Sequence, residues 1–146
     1  MPVTPEGMAC LFGFDVGTRL IGVAVGNTLT ATARGIAAIA VREGQPDWTR
    51  LDALRREWLP ERAIVGLPLD GEGKEQPMTR TARRFAATLA ERWQLPVELA
   101  DEGHTSQEAA RRFATQRAAG LKKRRDAATI DAEAAAVILE AWLAQA

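Results

Sequence analysis

Cysteine and histidine are nearly missing from this chain, which contains one of each among its 146 residues. The lone Cys10 excludes an internal disulfide and a cysteine-rich zinc site, and we expect it to enter the first strand as a small apolar side chain. The only histidine, His104, excludes a histidine-based zinc cluster. We expect His104 to lie in a solvent-facing loop, although its position close to Glu102 keeps it within reach of a site there.

Long apolar runs and an excess of one charge are also absent. No run approaches the ~20 apolar residues that cross a bilayer, and the first ten residues lack a basic, apolar secretory signal, so we expect a cytoplasmic protein. Nineteen basic residues balance nineteen acidic ones, which lowers the expectation of a polyanion ligand. The segment 111–125 nevertheless holds seven basic residues and no acid. Such a local patch attracts phosphate even on a neutral protein.

The length suits one domain, so we expect a single domain over residues 1–146 with a flexible N-terminus at 1–9. Short apolar runs bounded by turn residues predict five strands, the first two joined by a hairpin. These strands are expected at 11–16, 21–25, 35–41, 63–66 and 97–100.

Apolar residues at helical spacing predict four helices, and the glycine-containing segment 67–76 is expected to be a mobile loop. This order of elements predicts an α/β fold: a mixed five-stranded sheet, with three antiparallel strands followed by parallel additions, flanked by helices. The first helix is expected to follow Asp47 and to end at Pro60, and the second is expected to start at Pro77. The third is expected to run from Ser106 towards Ala118 after a capping box of Thr105 and Glu108, and the fourth to cover Ile130–Leu143.

The first candidate site residue is Asp15, which lies inside an apolar strand. A carboxylate in such a position is costly to desolvate unless a cation or several hydrogen-bond donors compensate it. Asp15 is therefore either a metal ligand or a strand-end residue bonded to the turn amides of Gly17 and Thr18. The residues alone leave both interpretations open.

A second acidic position follows the strand predicted at 97–100, where Asp101 and Glu102 are adjacent. Active sites of α/β proteins usually form at the C-terminal ends of strands. Neighbouring strand residues face opposite ways, so only one of these two carboxylates can share a site with Asp15. Periodicity does not choose between them, and Asp101 is also compatible with an ordinary surface position.

The third candidate is Asp131, which shares the apolar stripe of the last predicted helix with Ile138 and Trp142. Glu133 is turned about 200° away and is expected beside Glu140 on the solvent side. An acid near a helix N-terminus also interacts favourably with the helix dipole, which is the alternative explanation for Asp131.

Three such acids together form a hard-oxygen site suited to Mg²⁺ or Mn²⁺, which activate water for attack on a phosphodiester bond. A basic run lies just before the helix that carries Asp131 and is either a solvated surface segment or a contact for a phosphate backbone. The candidate nucleic-acid-binding residues are Arg19, Lys74, Lys122, Lys123, Arg124 and Arg125.

Several motifs together resemble the YqgF (RuvX-type) family, whose members are described as pre-16S rRNA nucleases or Holliday junction resolvase-like proteins. The resemblance covers nearly the whole chain, from about Leu11 to Leu143. It implies an RNase H-like nuclease domain, a bacterial cytoplasmic setting and precursor ribosomal RNA, or the particle that carries it, as the partner. The matching segments are FDVGTR at 14–19, IGVA at 21–24, VGLP at 65–68, the acidic pair at 101–102, and the ID, AA and IL pairs of the last helix.

The same resemblance implies that Asp15, Glu102 and Asp131 are the catalytic residues and the ligands of Mg²⁺ or Mn²⁺, which selects Glu102 over Asp101. One departure is visible, because the family usually continues the acidic pair with arginine and leucine, whereas this chain has Gly103 and His104. The missing arginine removes a cation beside the site.

The function expected from the resemblance is metal-dependent hydrolysis of phosphodiester bonds at the 5′ end of pre-16S ribosomal RNA. A Holliday junction resolvase-like DNA endonuclease and a non-catalytic nucleic-acid-binding module are the alternatives. The segment 15–18 also resembles the first phosphate loop of actin-like ATPases and sugar kinases, but those proteins need two such domains. Micromolar ATP affinity would favour an ATPase, and magnesium-insensitive RNA binding without cleavage would favour the binding module.

Overall fold

The computed structural model describes residues 9–68, 72–101 and 127–145. Within these ranges the structure has six strands and three helices. The strands are β1 (Cys10–Val16), β2 (Leu20–Asn27), β3 (Thr32–Arg42), β4 (Gln45–Pro46), β5 (Arg62–Leu67) and β6 (Val97–Asp101). The helices are α1 (Trp48–Trp58), α2 (Pro77–Trp93) and α3 (Ala127–Gln145).

The strands form one mixed sheet in the order β4-β3-β2-β1-β5-β6. Strands β1 to β4 pair antiparallel with their neighbours, whereas β5 and β6 continue the sheet parallel to β1. Parallel neighbours need a crossover, and α2 supplies it between β5 and β6. The predicted α/β fold, with three antiparallel strands followed by parallel additions, is confirmed.

The strand count differs from the prediction by one, because the sheet has six strands rather than five. Glu43 and Gly44 have positive φ angles of 53° and 77° and turn the chain back, so that Gln45 and Pro46 pair with the end of β3. Two successive residues with positive φ form the tight turn that matches the twist of a hairpin. The added strand is only two residues long and therefore gives no periodic signal in the sequence.

One face of the sheet packs against α1 and α2 around an aromatic core. Phe12 and Phe14 alternate inward from β1 and meet Trp93 at ring-centroid distances of 6.0 and 6.2 Å. Phe85 of α2 contacts Phe14 edge to face at 5.3 Å. Cys10 packs against this cluster, as expected for a small apolar side chain, and burial raises the pKa of its thiol.

The other face of the sheet is covered by α3, which lies unusually close to the strands. Gly13 and Gly26 face Leu139, and a Cβ added at Gly13 would lie 2.8 Å from the Leu139 Cβ. Ala24 packs against Ala135 in the same layer. Small residues on both sides therefore allow the helix backbone to approach the strand backbone directly.

The helix boundaries follow local hydrogen bonding. Helix α1 follows Asp47 as expected, and Asp47 caps it: its carboxylate accepts from the Arg50 amide at 3.3 Å. The hydroxyl of buried Thr79, near the start of α2, donates to the Pro68 carbonyl and so ties the end of β5 to the helix. Helix α3 begins at Ala127, three residues before the predicted start.

Three expectations fall wholly or partly outside the described residues: the helix predicted from Ser106 towards Ala118, the flexible N-terminus at 1–9, and part of the loop at 67–76. Leu67 itself is the last residue of β5 rather than the first of a loop. No helix in the described ranges is both long and apolar enough to cross a membrane.

Candidate active site

Asp15 lies near the C-terminal end of β1 and is half-buried. It is paired directly with Gly22 of the antiparallel neighbour β2. Opposite residues of an antiparallel pair project from the same face of a sheet. The side chain of Asp15 therefore shares the face of Gly22 and of Gly13, which is the face that α3 covers.

Gly22 is the contact point between the sheet and the start of the last helix. A Cβ placed on Gly22 would lie only 1.8 Å from the carbonyl oxygen of Asp131, so no larger residue fits there without moving α3. Gly35 makes a similar approach, with its Cβ position 2.7 Å from Ala132. The backbone of Asp131 thus lies against the residue paired with Asp15, on the face of the sheet that α3 covers.

The electrostatic state of Asp131 depends on its burial. Desolvation raises the pKa of this carboxyl above its ordinary value, and the side chain forms no hydrogen bond or ion pair with any described residue. A partly desolvated carboxylate without a donor or cation is unfavourable unless a positive charge is added. Among the described residues, the Asp131 carboxylate therefore lacks a compensating positive charge.

The sheet register separates the two adjacent acids at the end of β6. Asp101 pairs with Leu67, which belongs to the core under α1 and α2, whereas Ala100 pairs with Gly66 and packs on the α3 side. Asp101 therefore projects from the face opposite to Asp15. Glu102, the residue preferred from the family resemblance, lies outside the described residues, as do Gly103 and His104.

The other acids of α3 differ partly from the prediction. Glu133 and Glu140, expected on the solvent side, are both half-buried rather than fully exposed. Ile138 is buried, as the predicted apolar stripe requires, whereas Trp142 is only half-buried. The indole of Trp142 donates to Glu98 at 2.7 Å and is thereby held at the margin of the sheet.

Two of the candidate nucleic-acid contacts can be placed. Arg19 is exposed in the turn between β1 and β2, and its carbonyl accepts from the Val41 amide at 2.8 Å, so the turn is fixed to β3. Lys74 is exposed near the start of α2 and lies 3.4 Å from the carboxylate of Glu72. Exposed pairs of this kind contribute little and are easily exchanged for a phosphate. The basic run at 122–125 lies outside the described residues.

The described acids supply part of a metal site. In residues 9–68, 72–101 and 127–145, no group of three or more His, Cys, Asp or Glu side chains is placed to hold a metal ion. Asp15 and Asp131 provide two carboxylates on one face, and carboxylate oxygens are the ligands that Mg²⁺ and Mn²⁺ prefer. The donor set therefore fits a hard divalent cation if one further oxygen ligand joins it.

Sequence reasoning did not identify the glycines that position the site. Gly22 and Gly35 appeared only as parts of strands, but an isolated glycine within a strand often marks a close approach of another backbone. That signal was present in the sequence, and it would have placed a packed element over these two positions.

Comparisons with known proteins identify the family of this chain. The family model described as “RuvX: Holliday junction resolvase” matches residues 9–145. A relative from Xylella fastidiosa (strain M23), named “Putative pre-16S rRNA nuclease”, is 56% identical over 140 residues, which cover 96% of this chain and 89% of that protein. A relative of the same name from Xanthomonas axonopodis pv. citri (strain 306) is 51% identical, with coverage of 97% and 90%.

Solved structures extend the likeness to the fold. T. thermophilus RuvC in complex with a Holliday junction substrate matches with a TM-score of 0.54 and 17% identity, over 94% of this chain and 98% of that one. The yeast mitochondrial Holliday junction resolvase Ydc2 matches with a TM-score of 0.52 and 11% identity, over 97% and 80%. The chain has the RNase H-like fold of these resolvases, and it belongs to the RuvX family.

Proposed function

We propose that this protein is a metal-dependent nuclease that hydrolyses phosphodiester bonds at the 5′ end of pre-16S ribosomal RNA in the bacterial cytoplasm. The observation that carries the proposal is the contact of Gly22 with the Asp131 backbone, which brings Asp131 to the strand pair that contains Asp15. Relatives more than half identical to this chain are named for the same activity, which supports pre-16S RNA as the substrate.

In this proposal Asp15, Glu102 and Asp131 hold Mg²⁺ or Mn²⁺. The assignment of Glu102 is supported by the register of β6, because Asp101 projects from the opposite face. A bound divalent ion supplies an activated water and stabilises the leaving oxygen. The raised pKa of Asp131 means that a proton competes for this carboxylate when no cation is present, so occupancy of the site should decrease as the pH falls.

The residues around the acids position the substrate. Arg19 extends from the turn that directly follows β1, and the run Lys122–Arg125 precedes α3 in the chain. Both segments are therefore attached to elements that carry a site acid, and their charges favour the phosphate backbone at the reacting bond. Lys74, released from its exposed pair with Glu72, adds a further phosphate contact.

The test is cleavage of precursor 16S RNA by purified protein with magnesium or manganese, compared with Asp15→Asn. The variant keeps the shape of the side chain but removes a ligand charge, so we expect cleavage to be lost while circular dichroism stays unchanged. Cleavage by Asp15→Asn at the wild-type rate would exclude Asp15 as a ligand and with it this mechanism.

A four-way DNA junction is the second substrate for the same assay, because the matching family model is described as a Holliday junction resolvase. The similarity of the fold to that of RuvC also favours this alternative, although it concerns the fold alone. Metal-dependent cleavage of the junction, without cleavage of the RNA, would assign the same acids to a DNA resolvase. Magnesium-insensitive binding of either substrate without cleavage would indicate a non-catalytic nucleic-acid-binding module.

A further inference from the structure

A cavity lies on the face of the sheet opposite to α3, and the proposed chemistry does not use it. Its volume is about 420 Å³, within the range of small-molecule sites. It opens between the end of β1, the β3–β4 turn and one face of α2. Its apolar lining includes Val16, Ile21 and Phe85, and its polar lining includes Thr81, Arg84 and Thr88.

The wall formed by Trp48 is rigid. Its ring stacks on Phe85 at 5.7 Å with an interplanar angle of 18°, and the Arg92 guanidinium lies 4.9 Å from the centroid of the same ring. Arg92 is itself fixed by Asp52, with the closest nitrogen and oxygen 2.6 Å apart. These contacts hold the indole at the side of the cavity, so a ligand there would meet a preformed wall.

The charges in the lining point to the kind of ligand. Arg84 is exposed and forms no ion pair or hydrogen bond with any described residue, whereas the neighbouring Arg83 is paired with Glu75 at 2.5 Å. A guanidinium of this kind is suited to bidentate contact with a phosphate. Glu43 also lines the cavity and accepts hydrogen bonds from amino or imino groups. A polar, phosphate-bearing ligand can contact both of these exposed charges, whereas a wholly apolar one cannot.

The cavity is close to the proposed reaction centre although it lies on the other face. Val16 and Gly17 line it and directly follow Asp15 in β1. Two residues of strand span about 7 Å, so a nucleotide next to the reacting one can reach the cavity around the end of the sheet. The β1–β2 turn with Arg19 lies at this same end.

We infer that this cavity binds one unstacked nucleotide of the substrate, with the base between the apolar walls and a phosphate on Arg84. The inference rests on the proposed nuclease function. An extruded base is recognised in this way when apolar side chains pack on it and polar groups contact its edge. Glu43 provides such a polar group for bases that carry amino or imino donors.

Binding of nucleoside 5′-monophosphates to the wild-type protein in EDTA tests the cavity without any cleavage. The indole N–H signal of Trp48, assigned with Trp48→Phe, is followed in ¹⁵N spectra during titration with ribose and deoxyribose forms. We expect Arg84→Ala to weaken binding about tenfold, the loss of one charge-assisted contact. Arg80→Ala is the matched control, since Arg80 is also exposed on α2 but does not line the cavity.

A second pair of variants tests the space itself. Thr88→Phe places bulk at an exposed position of the lining, whereas Ala87→Phe adds the same ring at the adjacent exposed position outside it. We expect only Thr88→Phe to block the change in the Trp48 signal. No nucleotide-dependent change at Trp48, or equal affinity of Arg84→Ala and Arg80→Ala, would overturn the inference.

These outcomes are separable from the nuclease proposal. Nucleotide binding in a protein that cleaves neither RNA nor DNA would preserve the cavity and refute the nuclease. Cleavage that depends on Asp15, together with unaltered nucleotide affinity of Arg84→Ala and Thr88→Phe, would refute the cavity alone. Binding of ribose forms only, of deoxyribose forms only or of both would in each case support the cavity and report which sugar it accepts.

Discussion

Replacement of Gly22 by alanine should separate the stability of the fold from the geometry of the site. The added Cβ would lie 1.8 Å from the Asp131 carbonyl oxygen, while ordinary contact begins at 3.4 Å. The start of α3 must therefore withdraw by about 1.6 Å, because the obstructing atom belongs to a backbone and cannot rotate away. This movement displaces Asp131 relative to Asp15.

The expected magnitudes follow from this displacement. Overpacking of this kind costs about 1–3 kcal/mol in the free energy of unfolding, which a domain with a typical ~5–15 kcal/mol survives. A misplacement of about 1 Å in a catalytic group costs on the order of a hundredfold in rate. Gly22→Ala should therefore stay folded and lose about two orders of magnitude in kcat/KM.

Stability is measured by urea unfolding, and metal-dependent cleavage kinetics are measured at a urea concentration at which every variant is folded. Gly13→Ala is the comparison, because its Cβ would meet the Leu139 Cβ at 2.8 Å and the Ala135 carbonyl oxygen at 3.0 Å, both further along α3 than Asp131. It should lose stability but much less activity. Wild-type kcat/KM in Gly22→Ala, or equal losses of activity in both variants, would refute the link between Gly22 and the site.

Three further predictions concern individual charges. Because burial raises the pKa of Asp131, ionisation of this carboxyl disfavours the folded state. The stability contribution of the carboxyl is most favourable below its unfolded-state pKa of about 3.8, and it is lost as the pH rises through the pKa of the folded state. Asp131→Asn should therefore be more stable than wild type at pH 7 in metal-free buffer, with the difference shrinking near pH 3 in urea titrations, and it should not cleave. Glu133→Gln should retain at least about half of the wild-type cleavage rate, since it lies about 200° around the helix from Asp131; an inactive Glu133→Gln beside an active Asp131→Asn would move the site by half a turn. Alanine at all four positions of 122–125 should weaken RNA binding. The slope of the binding constant against salt concentration, on logarithmic axes, should decrease by an amount that corresponds to up to four phosphate contacts. An unchanged slope would mean that the run is a solvated surface segment.

Patterns with a strong physical cause were predictable from the sequence. The apolar runs of β1 and β2 and the start of α1 after Asp47 were anticipated, because each depends on a local sequence pattern. The short strand β4 was not anticipated, since it depends on two successive positive φ angles at Glu43 and Gly44. Of these two residues, only the glycine indicates such a conformation in a sequence.

The candidate site was predictable only in part for a similar reason. Asp15 and Asp131 were identified as acids in apolar surroundings, and that conflict is visible in the sequence itself. The position of the Asp131 backbone over the strand pair that contains Asp15 depends on the pairing of Asp15 with Gly22 and on the packing of α3, which are tertiary facts. The register of β6 against β5 is likewise a tertiary fact, and it places Asp101 on the face away from Asp15.

The close packing of α3 on glycine has a consequence for how this domain can diverge. Positions such as Gly22 and Gly35 accept no side chain while the helix stays in place, so one face of the sheet has almost no freedom to vary. The cavity on the other face is bounded by exposed positions such as Arg84 and Thr88, where substitution disturbs no backbone contact. Changes in substrate preference can therefore accumulate on one side of the sheet while the other preserves the geometry of the acids.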